Sequence, residues 1–112
     1  MDDPEKLRPE AREAIRNPRN TVFLSAVSTW ELGLKVSKGK LLLPSHFPQR
    51  MAEDGIDELA FTNAHALAAI SLPPLHGDPI DRALIAQCME ESLTFATRDR
   101  IAAEYHILVL AV

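Results

Sequence analysis

The stretch Asp81-Arg-Ala-Leu-Ile-Ala-Gln-Cys-Met-Glu-Glu-Ser-Leu-Thr-Phe-Ala-Thr-Arg-Asp99 decides the fold. Asp78-Pro79 caps a helix that runs to about Glu91, with Leu84, Ile85 and Cys88 on one apolar stripe. Residues 93–97 follow as a nearly continuous apolar run, which predicts a central strand covered on both faces. One acid opens this helix and another follows this strand. A third, Glu31, follows the apolar run 21–26 at the opening of another helix. In an open sheet of parallel strands such ends gather at one rim, the rim where ligands bind. Carboxylates meeting there repel each other unless a cation joins them, and an oxygen-only site suits Mg²⁺ or Mn²⁺.

Outward from this stretch, extended and helical patterns alternate. Residues 99–104 read as a short helix, Tyr105-His106 as a turn and 107–112 as a last strand. On the other side, Thr62 caps an alanine-rich helix through Ile70 that Pro73-Pro74 stops. Residues 56–61 alternate apolar and acidic side chains, as a half-exposed edge strand does. A short helix near 49–54 ends at Gly55, behind a connector flanked by Pro44 and Pro48. Ser28-Thr-Trp-Glu31 has the capping-box pattern of a helix that Gly39 ends, with Glu31 and Lys35 as an i,i+4 pair. Leu7, Ala11, Ala14 and Ile15 have helical spacing, stopped by Asn17-Pro18. Strands alternating with helices predict an α/β layered sheet. The chain opens on a helix, whereas such folds usually begin with a buried strand. The sheet is therefore expected to be small, with its first element absent.

Composition narrows the class. The 112 residues, 46% hydrophobic and 25% charged, suit one globular domain, residues 1–112, and exclude wholesale disorder. The apolar runs are too short to cross a bilayer, and the start Met1-Asp-Asp-Pro4 is no signal peptide. A single cysteine, Cys88, excludes an internal disulfide framework and fits a reducing cytoplasm. Its place on the apolar stripe makes it a small core hydrophobe rather than a nucleophile. A net charge of −4 argues against coating nucleic acid by bulk electrostatics. A local basic rim stays open: Lys35, Lys38 and Lys40 cluster, and Arg82, Arg98 and Arg100 lie beside two of the acids. As a lone signal, each of these groups reads as a solvated face.

Each acid has a plain structural alternative. Glu31, three residues behind Ser28, can accept the backbone N–H of the cap residue, and taken alone this accounts for it better. Asp78 is well explained as an N-cap. Asp81 is not so easily explained, because it heads the stripe that faces the sheet. An unpaired carboxylate there costs several kcal/mol, so a metal or a water-filled cleft is favoured over a plain first-turn acid. For Asp99, helix cap and metal ligand weigh equally. His76-Gly-Asp78 has ligand types but reads as loop polarity, and His46, His65 and His106 occur singly. None of the four histidines is assigned a role.

Together, Ser25-Ala-Val-Ser-Thr-Trp-Glu-Leu32, Gly39-Lys-Leu41, His76-Gly-Asp-Pro-Ile-Asp-Arg-Ala-Leu-Ile-Ala-Gln87 and Leu93-Thr-Phe-Ala-Thr-Arg-Asp99 resemble the PIN-domain proteins. Specifically, they resemble the VapC-like toxin branch whose third motif reads His-x-Asp-Pro-x-Asp-Arg. The resemblance covers essentially the whole chain, with four motifs in the right order. It implies an α/β/α three-layer sandwich and a metal-dependent endoribonuclease using Mg²⁺ or Mn²⁺. On that pattern Glu31, Asp81 and Asp99 match the second, third and fourth acids, as metal ligands and catalytic residues. Asp78 matches an accessory acid, Thr97 the polar companion of the fourth acid, and Ser28 the serine before the glutamate. Arg98, Arg100 and Lys35 would neutralise RNA phosphate.

One departure qualifies this resemblance. Family members begin with an apolar strand ending in the first acid, and neither Asp2 nor Asp3 ends a strand. In the family that strand lies between those placed here at 21–26 and 93–97. Its loss is expected to leave two rows of backbone groups unpaired, or to force those two strands together, and an exposed slot would favour self-association, including a strand-swapped dimer. Metal affinity and activity are expected to fall in this shortened form. Two non-enzymatic alternatives stand beside the ribonuclease. One is a binding module that docks a small basic antitoxin on Trp30, Leu34 and Phe47. The other is a structural oligomer whose acids are only caps.

Overall fold

Local signals set most of the element boundaries in the computed structural model, which describes residues 8–43 and 45–112. Leu7, Asp2, Asp3 and Pro44, which figure in the expectations above, lie outside the described residues. Helix α1 (Pro9–Arg16) starts with proline at its first turn, where the missing N–H costs nothing, and buries Ala11. Strand β1 (Val22–Ser25) leads directly into α2 (Ala26–Ser37). Gly39, at φ 71°, follows α2 in the left-handed conformation that suits a helix end. The short α3 (Phe47–Glu53) precedes β2 (Ile56–Leu59), and Gly55, at φ 73°, makes the turn between them.

The second half repeats this logic. Thr62 caps α4 (Asn63–Ser71) by accepting the His65 N–H, and His65 returns the bond through Nδ1 to the Thr62 N–H at 3.1 Å. Helix α5 (Pro79–Glu91) is capped by Asp78, whose Oδ1 accepts the Ile80 N–H at 2.8 Å. Then come β3 (Phe95–Thr97), a 3₁₀ turn (Ile101–Glu104) and β4 (Val109–Ala111).

Both strand pairings are parallel. β1 pairs with β2 from Val22 opposite Ile56 to Ser25 opposite Leu59, and β3 pairs with β4 from Phe95 opposite Val109 to Thr97 opposite Ala111. The class is the expected α/β, with helices packed on small parallel sheets. The sheet itself differs from expectation, because the described residues form two two-stranded sheets rather than one. β3 is consequently paired on one side only and is not central. A groove of about 750 Å³ is lined by β1 and β3 and by Leu84, Gln87 and Cys88 of α5. With β1 bound only to β2 and β3 only to β4, no described strand bridges this gap.

The core lies under β3 and β4. Leu72, Ile85, Ala86, Ala102 and Tyr105 form a buried cluster, with Phe95, Ile107 and Val109 packed against it. The thiol of Cys88 is buried in α5, and burial pushes its pKa up to about 11. That agrees with a core hydrophobe. A polar seam ties the two halves. Ser25 Oγ donates to Gln87 Oε1, and Gln87 Nε2 donates to the Ala60 carbonyl at 3.2 Å. Gln87 and His65 are 1% and 2% exposed, so these partners satisfy groups that water cannot reach.

Candidate metal centre

Parallel pairing turns the carboxyl end of β3 and the amino end of α5 toward one rim. Asp81 lies in the first turn of α5, and Asp99 lies two residues beyond β3. Thr97 Oγ1 accepts the Asp99 N–H at 3.0 Å, and Asp99 Oδ1 accepts the Ile101 N–H at 2.9 Å. Asp99 thus caps the 3₁₀ turn with one oxygen and keeps the other for a different partner.

That partner is His76. Its Nε2 is hydrogen-bonded to Asp99 Oδ2 and lies 3.2 Å from Asp81 Oδ2. His76, Asp81 and Asp99 each offer a ligand atom, and the three atoms lie within 4.8 Å of one another. The imidazole is 11% exposed and the two carboxylates 28% and 27%, which describes a shaded pocket open to solvent on one side.

The loop holding His76 is tied down from two directions. Tyr105 Oη accepts the His76 N–H at 2.9 Å and donates to the Pro73 carbonyl at 2.8 Å. The Arg82 guanidinium donates to the carbonyls of Ala69, Leu72, Pro73 and His76 at 2.9 to 3.3 Å. These carbonyls lie at the end of α4 and in the loop after it, a natural seat for a guanidinium fork. Arg82 therefore serves the loop and not a solvated face.

The charges in the pocket work against each other. Burial raises the Asp81 pKa, and the neighbouring Asp78, Asp99 and Glu31 carboxylates raise it further, against a smaller lowering by His76. For Asp99 the Ile101 N–H and then His76 favour the charged form and hold its pKa below the usual carboxylate range. Glu31 is thus within electrostatic reach of Asp81 but outside the three-residue cluster.

Other expected site residues separate into two groups. Asp78 is the N-cap of α5, which is its plain structural reading, and the Thr97 hydroxyl accepts the Asp99 N–H. Ser28 is a correction, because α2 starts three residues earlier than the capping-box pattern implies. Ser25 is the cap, with Oγ accepting the Val27 N–H at 3.1 Å, and Ser28 lies within the helix. Glu31 therefore does not close a capping box, which removes its main structural explanation. The expected ion pair between Glu31 and Lys35 is not formed among the described residues. Lys35, Arg98 and Arg100 are exposed, the last two flanking Asp99 in sequence.

His76 is the residue that sequence reasoning missed. Its signal was spacing, since a histidine two residues before a capping aspartate can fold back over the first turn of the helix. The acids suit a divalent cation: the carboxylates of Asp81 and Asp99 meet beside the imidazole, with Glu31 nearby and an Asp81 carboxyl that a positive charge would relieve.

The PIN-domain family model matches residues 1–108, and the chain belongs to that family. The chain is similar to Ribonuclease VapC16 of Mycobacterium tuberculosis (strain ATCC 25618 / H37Rv), 37% identical over 60 residues. The match covers 50% of this chain and 43% of that protein, so it spans less than half the relative's length. No solved structure matches the chain. No helix among the described residues is long and apolar enough to cross a membrane.

Proposed function

We propose that the chain acts as a metal-dependent endoribonuclease of the VapC-like toxin type, with Mg²⁺ or Mn²⁺ held by Asp81, Asp99 and Glu31. The observation that carries this reading is the meeting of Asp81 and Asp99 at one rim, with Glu31 close enough to raise the Asp81 pKa. When bound, the ion would polarise phosphate and lower the pKa of a water molecule. The chain's own residues supply the rest. Asp81 and Asp99 fix the position of positive charge, Thr97 and the Ile101 N–H orient Asp99, and Asp78 fixes the start of α5. Exposed Arg98, Arg100 and Lys35 would neutralise RNA backbone phosphate, which positions a substrate without reading its sequence.

The test is cleavage of a mixed RNA pool with Mg²⁺ or Mn²⁺, with and without a chelator. Metal-dependent cleavage lost in Asp81→Asn supports the reading, and cleavage equal in both proteins overturns it.

A second reading, as a docking module, is favoured by the exposure of Trp30 and Leu34, at 60% and 38%, on α2. A small basic antitoxin would suit this face and the net charge of −4. Co-purification of such a partner without RNA cleavage would favour this reading over the enzyme. The groove between β1 and β3 supports self-association, including exchange of a strand between two copies, because backbone edges left unpaired invite an added strand. Light scattering tests this, and a monomer at all concentrations would count against it. A cytoplasmic setting fits the single buried thiol.

A further inference from the structure

We propose that His76 is a positioning residue that joins Asp81 to Asp99 through its Nε2–H, rather than a ligand to the metal. The assignment rests on the metal reading of the site for its functional consequence, but the contact itself follows from the hydrogen-bond network. Nδ1 of His76 accepts the Asp78 N–H at 3.1 Å. A backbone N–H can only donate, so the Nδ1 lone pair is engaged and the ring proton sits on Nε2. Nε2 is the atom that faces both Asp99 Oδ2 and Asp81 Oδ2. A ligating histidine has the reverse arrangement, with a lone pair toward the metal and its other N–H given to an acceptor. Here the atom facing the carboxylates carries the proton, and the other atom has no acceptor to donate to.

The consequence is mechanical and electrostatic. Asp81 belongs to α5 and Asp99 to the turn after β3, so no shared element holds the two carboxylates together. Two carboxylates whose oxygens both face one ring nitrogen repel each other. One N–H shared between an oxygen of each draws the two together and leaves lone pairs on the remaining oxygens for a cation. The ring can do this only because its loop is fixed. Tyr105 holds the His76 N–H, Arg82 holds the carbonyls of Pro73 and His76, and Asp78 orients the ring. The motif's His76, Asp78 and Arg82 then form one device that sets the spacing of two acids.

The experiment combines imidazole ¹⁵N NMR of the metal-free chain with Mn²⁺ titration and pulsed EPR of His76→Ala and His76→Gln. NMR is expected to show His76 as the Nε2–H tautomer. Loss of a residue that orients metal ligands should weaken Mn²⁺ binding roughly 10- to 100-fold in His76→Ala. His76→Gln, whose amide N–H can stand in for Nε2–H, should restore most of that loss. EPR of the unsubstituted chain should show no nitrogen coupling that disappears in His76→Gln. An Nδ1–H tautomer, a His76 nitrogen coupled to Mn²⁺, or unchanged Mn²⁺ affinity in His76→Ala would each overturn the proposal. If the unsubstituted chain binds no Mn²⁺, the metal reading fails, and the tautomer still decides whether His76 joins the carboxylates. If His76→Ala does not fold, the tautomer and the EPR spectrum decide.

Discussion

The half of the molecule made of α4, α5, β3 and β4 has a continuous buried cluster, and the half made of α2, α3, β1 and β2 does not. In the first, Ile85, Ala86 and Ala102 are all 0% exposed and pack with Leu72 and Tyr105. In the second, Val27 and Met51 are the buried apolar side chains among the described residues. Leu24, Phe47, Met51 and Ile56 there line a further cavity of about 490 Å³. The contrast teaches where precision is needed. His76, Asp81 and Asp99 all rest on the packed half, where buried neighbours fix the elements that carry the three side chains. Among the described residues the looser half reaches the site through Glu31, and it meets the packed half where α2 packs on α5, at the Ser25–Gln87 contact and at the Ala60 carbonyl.

The largest test of this contrast is truncation of each core. Ile85→Ala should cost about 4 kcal/mol, near the upper part of the range for buried aliphatic truncation, because its surroundings have no room to relax. Met51→Ala, beside an existing cavity, should cost about 2 kcal/mol. Urea unfolding measures both, and equal losses would erase the distinction between the halves.

Arg82 offers the next largest effect. Arg82→Ala should cost about 2 kcal/mol, since the hydrogen bonds from a charged donor to carbonyls at the end of α4 and in the turn after it are lost. Arg82→Lys should recover little of it, because an ammonium cannot reproduce the planar fork. Full rescue by lysine would mean that charge alone matters at the end of α4.

The seam between the halves should be weaker. A double-mutant cycle on Ser25→Ala and Gln87→Ala is expected to give a coupling of about 1 kcal/mol, the net value of one buried hydrogen bond. A coupling near zero would mean that this hydrogen bond adds nothing to the seam and that the packing of α2 on α5 joins the halves.

The smallest effect has the opposite sign. Asp81 has a folded-state pKa above its unfolded value, so folding at neutral pH carries a penalty that is relieved as pH falls through the raised value. Asp81→Asn removes that penalty and should raise the Tm slightly at pH 7. Its advantage should shrink on acidification, as the carboxyl of the unsubstituted chain takes up its proton. A lower Tm for Asp81→Asn at pH 7 would show that repulsion and burial do not govern this carboxylate.

Much of this architecture was legible in the sequence, for local reasons. Asp78-Pro79, Thr62, Gly39 and Gly55 mark the boundaries they were expected to mark, because caps and positive-φ glycines act through neighbouring backbone. Ser28 misled because two serines, three residues apart, both precede helical sequence. Only the tertiary contact of Ser25 with Gln87, 62 positions away, shows which one ends the strand. The central placing of β3 failed for a similar reason. An apolar run reports burial on both faces, but strand order depends on which edges find partners, and β3 has one. His76 was passed over because its near partners, Asp78 and Asp81, read as a helix cap and a first-turn acid. Its other partners are Asp99, 23 positions away, and a hydroxyl on Tyr105.

The account rests on carboxylates from separate elements sharing one divalent cation. Mn²⁺ titration calorimetry on the unsubstituted chain, Asp81→Asn, Asp99→Asn and Glu31→Gln addresses that most directly. The predicted result is binding to the unsubstituted chain that vanishes in both aspartate variants and weakens in Glu31→Gln. Equal binding in all four proteins, or none in any, would contradict it.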